Sequence, residues 1–334
     1  MHANQGRRNR RLVLRRAAML FAALAVVAAG CADVAGDNAA SAATTRAAAV
    51  EAFLPNAKFD YQISAGYTPA SGVKVVSRDV KDTPAGLGYD ICYINGFQTQ
   101  PDEKGSDGQP LEGTSKWFAD DATRKQLLLP NPTPDYPTAT ENQQYSKPYY
   151  VDPGWPDEII FDLRTAAKRT ALAAIVGKQI QACADKKFDA VEVDNLDSFT
   201  RAYSNLSDRK LAREGKEPKE GAPRLMSQSD ALAFASLLIT KAHSLNLAIA
   251  QKNTAELGDE GKAAGFDLAV VEECGATTEC EDYAEVWGGN WVDIEYSANG
   301  FSKACSSVKS TISVVQRDKD VTKPGSTGYV YAEC

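Results

Sequence analysis

KKFDAVEVDNLDSF, residues 186–199, decides the fold. Its centre, Ala190–Val193, is a strand-length run that is apolar but for one glutamate, and the polar pair Asp194-Asn195 follows at once. A strand that is apolar nearly throughout is buried on both faces, the habit of parallel sheets covered by helices. Just upstream, Thr165–Ala184 carries helical spacing, and downstream Ser229–Leu245 does the same, opened by N-cap residues in Ser227-Gln-Ser-Asp230. Working outward, similar runs recur at Phe59–Ile63, Val73–Val76, Tyr89–Ile94, Ile159–Phe161, Leu247–Ala250, Leu268–Val271 and Trp291–Ile294. With Ala190–Val193 these make eight, the number that closes into a barrel. The expected fold is therefore α/β, a single irregular (β/α)8 TIM barrel. An open doubly wound sheet is the alternative, but no glycine-rich GxGxxG turn follows any of the runs. Two irregularities are expected. SAGYTPASG (64–72) is too short to hold a helix between the first two strands, and the Pro/Asp/Gly-rich stretch 99–153 after the third forms a lid-like excursion with a helix near Lys116–Leu128.

In such a barrel the active site lies at the C-terminal ends of the strands. The residues that follow the runs are Asp162, Asp194-Asn195, Lys252-Asn253, Glu272-Glu273 and Glu295-Tyr296. A single Asp there is as often a helix cap. Several consecutive strands ending in acids and amides imply an acid-lined cleft, since charged groups are seldom buried without partners. Two carboxylates across a barrel mouth suit glycosidic cleavage, one donating a proton and the other attacking carbon or activating water. Of the two histidines, His2 lies in the N-terminal leader and His243 stands at the end of a helix, at the bottom of the barrel, so a Ser-His-Asp triad or a His-rich metal centre has no histidine to use. No metal or cofactor is expected.

GWPDEIIFDLR (154–164), KKFDAVEVDNLDSF (186–199), KAHSLNLAIAQKN (241–253) and GFDLAVVEECGATTEC (265–280) together resemble glycoside hydrolase family 114, in that order. The resemblance spans most of Phe59 to Tyr296 and implies a TIM barrel acting as an endo-α-1,4-polygalactosaminidase or a related enzyme. It also implies that Asp194 and Glu272 are the catalytic carboxylates. Tyr61-Gln62, Asp162, Asp197, Lys252-Asn253 and Glu295-Tyr296 fall on recurring family positions, so Tyr61, Asp162, Asn195, Asp197, Lys252, Asn253, Glu295 and Tyr296 are expected to line the sugar site. The stretch Tyr93–Gln100 departs from the family pattern, which commonly has an acid and an Arg there. Adjacent strand residues point oppositely, so only one of Glu272 and Glu273 faces the mouth. Asp194 and Asp197 are read as close enough to repel, and Lys252 as favouring ionisation of whichever acid it approaches. Glu272 is assigned as general acid and Asp194 as nucleophile or stabiliser. Among the tryptophans, Trp291 reads as core and Trp155, in the excursion, as the best candidate to stack on a sugar.

Residues 1–30 combine six arginines, no acid and the apolar run Ala17–Ala29, the pattern of a secretory signal peptide. Ala28-Ala29-Gly30-Cys31 resembles a lipobox, which makes Cys31 a lipidation site and 31–52 a flexible tether, with the hydrolase domain at 53–334. The chain is acidic, at −7 overall; without the leader it is at about −13, which disfavours nucleic acid and suits a cationic ligand such as a galactosamine polymer. Six cysteines remain after Cys31. An even number in an exported chain points to disulfides, with Cys274–Cys280 and Cys305–Cys334 as candidates, while Cys92 and Cys183 read equally as buried thiols or a bridge. The expected product is a monomeric glycoside hydrolase, exported and either anchored by lipid on the outer face of the membrane or extracellular, whose only membrane contact is that anchor. The competing readings are a non-catalytic carbohydrate-binding lipoprotein on the same barrel and a transport-system binding protein. The latter normally has two hinged lobes, whereas this chain reads as one domain.

Overall fold

Strands β1 (Phe59–Gln62), β2 (Val75–Asp79), β3 (Tyr89–Asn95), β4 (Ala190–Asp194), β5 (Ala248–Lys252), β6 (Leu268–Glu272), β7 (Trp291–Glu295) and β8 (Ser313–Arg317) pair in sequence order, every neighbour parallel to the last. A short β9 (Tyr331–Glu333) adds antiparallel to β8. The computed structural model describes residues 50–132, 148–216 and 218–334. The expected signal peptide, the expected lipidation site Cys31 and nearly all of the expected tether lie outside the described residues.

The strands obey a period of two. Tyr61, Ile91, Ala190, Ala250, Val270, Ile294 and Val315 fill the inside of the curled sheet. Their sequence neighbours Cys92, Val191, Val193, Ile249, Ala269, Val271 and Trp291 face outward, against the helical layer. The sheet curls until β8 lies beside β1. There the Phe59 amide donates to Ser313 Oγ (3.2 Å) and Arg317 pairs with Asp60 (3.3 Å), so side chains rather than a ladder join the seam. The result is the expected α/β barrel.

The helices are α1 (Ser115–Ala119), α2 (Ala166–Asp185), α3 (Ser198–Arg201), α4 (Leu206–Arg213), α5 (Gln228–Ser244), α6 (Asp259–Ala264), α7 (Cys274–Thr277), α8 (Cys280–Trp287) and α9 (Ala298–Val308). The long pair α2 and α5 lie where the spacing predicts them. Ser227 and Asp230 form a capping box at the start of α5, each side chain serving the other's backbone amide. Against the other face of the sheet, α2 buries Leu172, Val176 and Ile180, and α5 buries Phe234 and Leu238. Among the described residues no helix is long and apolar enough to cross a membrane.

One strand expectation is wrong. Ile159–Phe161 does not join the barrel. It makes antiparallel bridges to Gln98, Val151 and Leu128 within the excursion, and Ser313–Arg317 takes the eighth place. Three buried apolar residues carry no periodicity that separates a barrel strand from a bridging segment. The helix expected near Lys116–Leu128 is instead the short α1 and a 3-10 turn at Arg124–Leu127. All six described cysteines pair: Cys274–Cys280 and Cys305–Cys334 as expected, and Cys92–Cys183, which ties β3 to the end of α2.

Candidate active site

Three strands bring their last inward side chains to one point. Lys252, the final residue of β5, is buried, and its ammonium lies 2.9 Å from Glu192 Oε1, 3.2 Å from Asp194 Oδ1 and 3.4 Å from Glu272 Oε2. Asp194 and Glu272 end β4 and β6, the strands flanking β5; continuing the register puts Asp194 level with Lys252, and Glu272 one inward residue beyond Val270, the partner of Lys252. Glu192 lies two residues before Asp194 on the same face, one layer deeper. Its carboxylate also accepts from Tyr61 OH (2.9 Å) and Ser77 Oγ (2.8 Å). The arrangement is a buried carboxylate and ammonium, with two further carboxylates above them that reach solvent: the Asp194 and Glu272 side chains are 20% and 23% exposed.

Each of the upper carboxylates has its own donors. Tyr93 OH (2.7 Å) and the Asn195 amide (2.8 Å) donate to Asp194. Tyr296 OH and Asn253 Nδ2 (3.1 Å) donate to Glu272, while Asn253 Oδ1 accepts from the Glu272 amide (2.7 Å). Asn195 and Asn253 reach these positions because the chain turns into the left-handed region there, φ 66° and 48°, which Asn tolerates better than most residues. Burial pushes Asp194 up, but the Lys252 charge, the Tyr93 hydroxyl and the Asn195 amide outweigh it and hold the carboxyl below the usual Asp range. Burial likewise opposes charge on Lys252, yet Asp194, Glu192 and Glu272 around it keep its pKa well above the ordinary lysine value. Glu192 goes the other way, pushed up chiefly by burial.

Of the residues expected at the sugar site, the structure gathers Tyr61, Asp194, Lys252, Asn253, Glu272 and Tyr296 around the ammonium, with Asn195 on the Asp194 side. Asp197 pairs with Arg201 (2.6 Å), which also holds Asn195 Oδ1 (2.9 Å) and buried Asp152 (2.8 Å). Trp155 is 59% exposed on the excursion, three residues before Glu158. Two placements correct the expectation. Asp162 is held by Arg164 (2.8 Å) and Lys168 (2.6 Å) at the start of α2, because its segment belongs to the excursion rather than to a barrel strand. Glu295 is fully buried on the outward face of β7, where it accepts from the Gly275 amide, since only alternate residues of a strand face the mouth.

Sequence reasoning missed Glu192, Tyr93 and Glu158. The first was legible: in Ala190–Asp194 the alternation that turns Asp194 inward also turns Glu192 inward. Tyr93 pairs in register with Glu192 and follows from the same rule. Glu158 carried no such signal. It comes from the excursion, accepts from Asn95 Nδ2 (2.7 Å) at the end of β3, and is raised to about 8 by burial and the nearby Asp194 charge. Nothing in the local sequence places a loop acid beside a strand end.

A curled parallel barrel with carboxylates converging at the C-terminal rim defines a TIM-barrel-like enzyme. The profile of glycoside-hydrolase family GH114 matches residues 39–334. The chain belongs to that family and is a glycoside hydrolase. Among solved structures it is similar to Ega3 of Aspergillus fumigatus, determined in complex with galactosamine, at 17% identity and a TM-score of 0.56, covering 86% of this chain and 98% of that one. It is also similar to the glycoside hydrolase domain of PelA from Pseudomonas aeruginosa, at 14% identity and a TM-score of 0.46, covering 81% and 97%. No curated protein matches the chain.

Proposed function

We propose that this chain cleaves an amino-sugar polysaccharide internally, in the manner of an endo-α-1,4-polygalactosaminidase, with Asp194 and Glu272 as its catalytic pair. The observation that carries the reading is the shared ammonium: Asp194 Oδ1 and Glu272 Oε2 lie 3.2 Å and 3.4 Å from the same Nζ, and both side chains reach solvent. The two oxygens are separated by no more than the sum of those distances. That ceiling on the two nearest oxygens is compatible with the about 5–5.5 Å separation of retaining pairs.

In the retaining scheme Asp194 attacks the anomeric carbon as its glycosidic bond breaks, and Glu272 protonates the departing oxygen. Water, deprotonated by Glu272, then displaces Asp194. Lys252, Tyr93 and Asn195 keep Asp194 ionised, as an attacking group must be. An acidic rim suits a polymer that carries ammonium groups, and galactosamine is the sugar bound in the Ega3 structure. Export, with a lipid anchor at Cys31, is supported by the arginine-rich leader and by three disulfides, which persist in oxidising compartments.

The test is product analysis on de-N-acetylated galactosamine polymer beside neutral polysaccharides. Wild type is expected to release oligomers with retained anomeric configuration, and Glu272→Gln to lose about 10²–10⁴-fold in rate. Asp194→Asn is expected to be at least as impaired. Binding without products by the wild type would favour a carbohydrate-binding protein. Products unaffected by either substitution would discredit the assignment.

A further inference from the structure

Behind β7, on the face away from the mouth, Asp293 and Glu295 are both fully buried, and no lysine or arginine pairs with either one among the described residues. Asp293 Oδ1 accepts from the Cys274 amide (3.3 Å) and Glu295 Oε1 from the Gly275 amide (2.5 Å); the Ala276 amide lies against the same Glu295 carboxyl. These amides begin α7, one residue beyond Glu273, which stands at φ 60° directly after Glu272. The Glu273 amide in turn donates to Ile294 O (2.8 Å), between the two acids on β7.

We propose that Asp293 and Glu295 are positioning residues that set Glu272 by clamping the turn that follows it. This rests on the hydrolase reading above, and it gives two acids that never touch substrate a part in the reaction.

The clamp has the marks of a built site. Asp293 Oδ2 and Glu295 Oε2 both lack a donor, while the two carboxyls lie within hydrogen-bond reach of each other. Two buried acceptors without donors are costly. One proton held between the carboxyls removes both defects, each group then serving as the other's partner. Burial first, and the charge of Glu295 next, push Asp293 well above the ordinary Asp range, and burial raises Glu295 as well, in agreement with a single shared charge. Glycines make the space. A Cβ at Gly300 would stand 2.0 Å from Glu295 Oε2, and one at Gly275 would stand 2.3 Å from Gly300 O and 2.8 Å from Glu295 Oε1. The Cys274–Cys280 disulfide fixes the other side of the same turn. Glu272 is thus held from the mouth by Tyr296, Asn253 and Lys252, and from behind through its backbone.

Two measurements on the whole chain decide the matter. Amide hydrogen exchange over Cys274–Thr277, without substrate, reads the clamp itself. Glu295→Asp, which keeps the carboxyl but shortens its reach, is expected to speed exchange there about tenfold or more, and Glu295→Ala to do the same if it folds. Glu295→Gln, which accepts from Gly275 and donates to Asp293, is expected to exchange like wild type. Steady-state kinetics on the polymer then read the effect on Glu272. Glu295→Asp should lower kcat by about 10–100-fold with KM within about twofold, as a small misplacement of a reacting group does, and Glu295→Gln should restore it. Wild-type exchange in Glu295→Asp, faster exchange with unchanged kcat, or a Gln variant as impaired as the Asp variant would each overturn the proposal. A wild type that hydrolyses nothing would count against the hydrolase reading, while the exchange result would still decide the clamp.

Discussion

Lys252 holds three carboxylates at once, within 2.9–3.4 Å of its ammonium. It alone compensates buried Glu192 and the two exposed-edge carboxylates, so removing it leaves a buried acid without its cation. Lys252→Met is expected to destabilise the fold by about 3–5 kcal/mol, measured by denaturant titration. The double variant Lys252→Met/Glu192→Gln should recover part of that loss, because the stranded charge has gone. A double variant no better than the single one would mean that packing, not charge, sets the cost. Glu158 makes the pH-dependent prediction. A glutamate ionises near about 4.3 in an unfolded chain and near about 8 here, so the folded state holds a proton that the unfolded state gives up. Its contribution is fully present below about pH 4.3 and is lost as pH rises to about 8. The stability of Glu158→Gln relative to wild type should therefore grow from pH 5 to 8 and then level; a constant difference would show Glu158 titrating normally. At this scale the part of the site on strand ends was readable, because alternation and the rule of the C-terminal rim act locally. Glu158 and Arg201 were not, since both reach the rim from outside the strands. Glu295 was placed at the mouth because being next to Tyr296 in sequence hides that the two face opposite ways.

Between elements, the longest covalent tie is Cys92–Cys183, which spans 91 residues and encloses the whole excursion. A loop of that size costs the unfolded chain on the order of 4–5 kcal/mol of entropy when closed. Replacing both cysteines by alanine is expected to lower stability by about 2–5 kcal/mol, read from denaturant midpoints under oxidising conditions. No change on substitution would mean that the excursion already orders the unfolded chain. Seven of the eight barrel strands were legible because each is a short run rich in apolar or aromatic residues followed by a polar one. Ser313–Arg317 escaped notice because its ends are polar: Ser313 turns to the Phe59 amide and Arg317 is a buried cation, so the run looks like surface. Ile159–Phe161 has the composition of a strand and the partners of a loop. Only tertiary contacts separate the two cases.

Across the whole molecule the weak line is the seam between the first and eighth strands. Arg317 spans it, fully buried, pairing with Asp60 and donating to the carbonyls of Val330 (3.0 Å) and Thr322 (2.7 Å). The C-terminal strand completes the join. It pairs antiparallel with β8, Tyr331 OH donates to Phe59 O (3.0 Å), Lys58 pairs with Glu333, and Cys334 is bonded to Cys305. A sheet that does not close through its own backbone has a bare margin, and bare margins recruit strands from other molecules. Strand β9 occupies that margin of β8, so its removal is expected to leave the edge open to other molecules. Deleting 331–334 together with Cys305→Ser, so that no free thiol remains to cross-link molecules, should leave the carboxylate cluster intact yet shift the protein to larger species in light scattering. An unchanged molar mass would show the seam to be sealed without them.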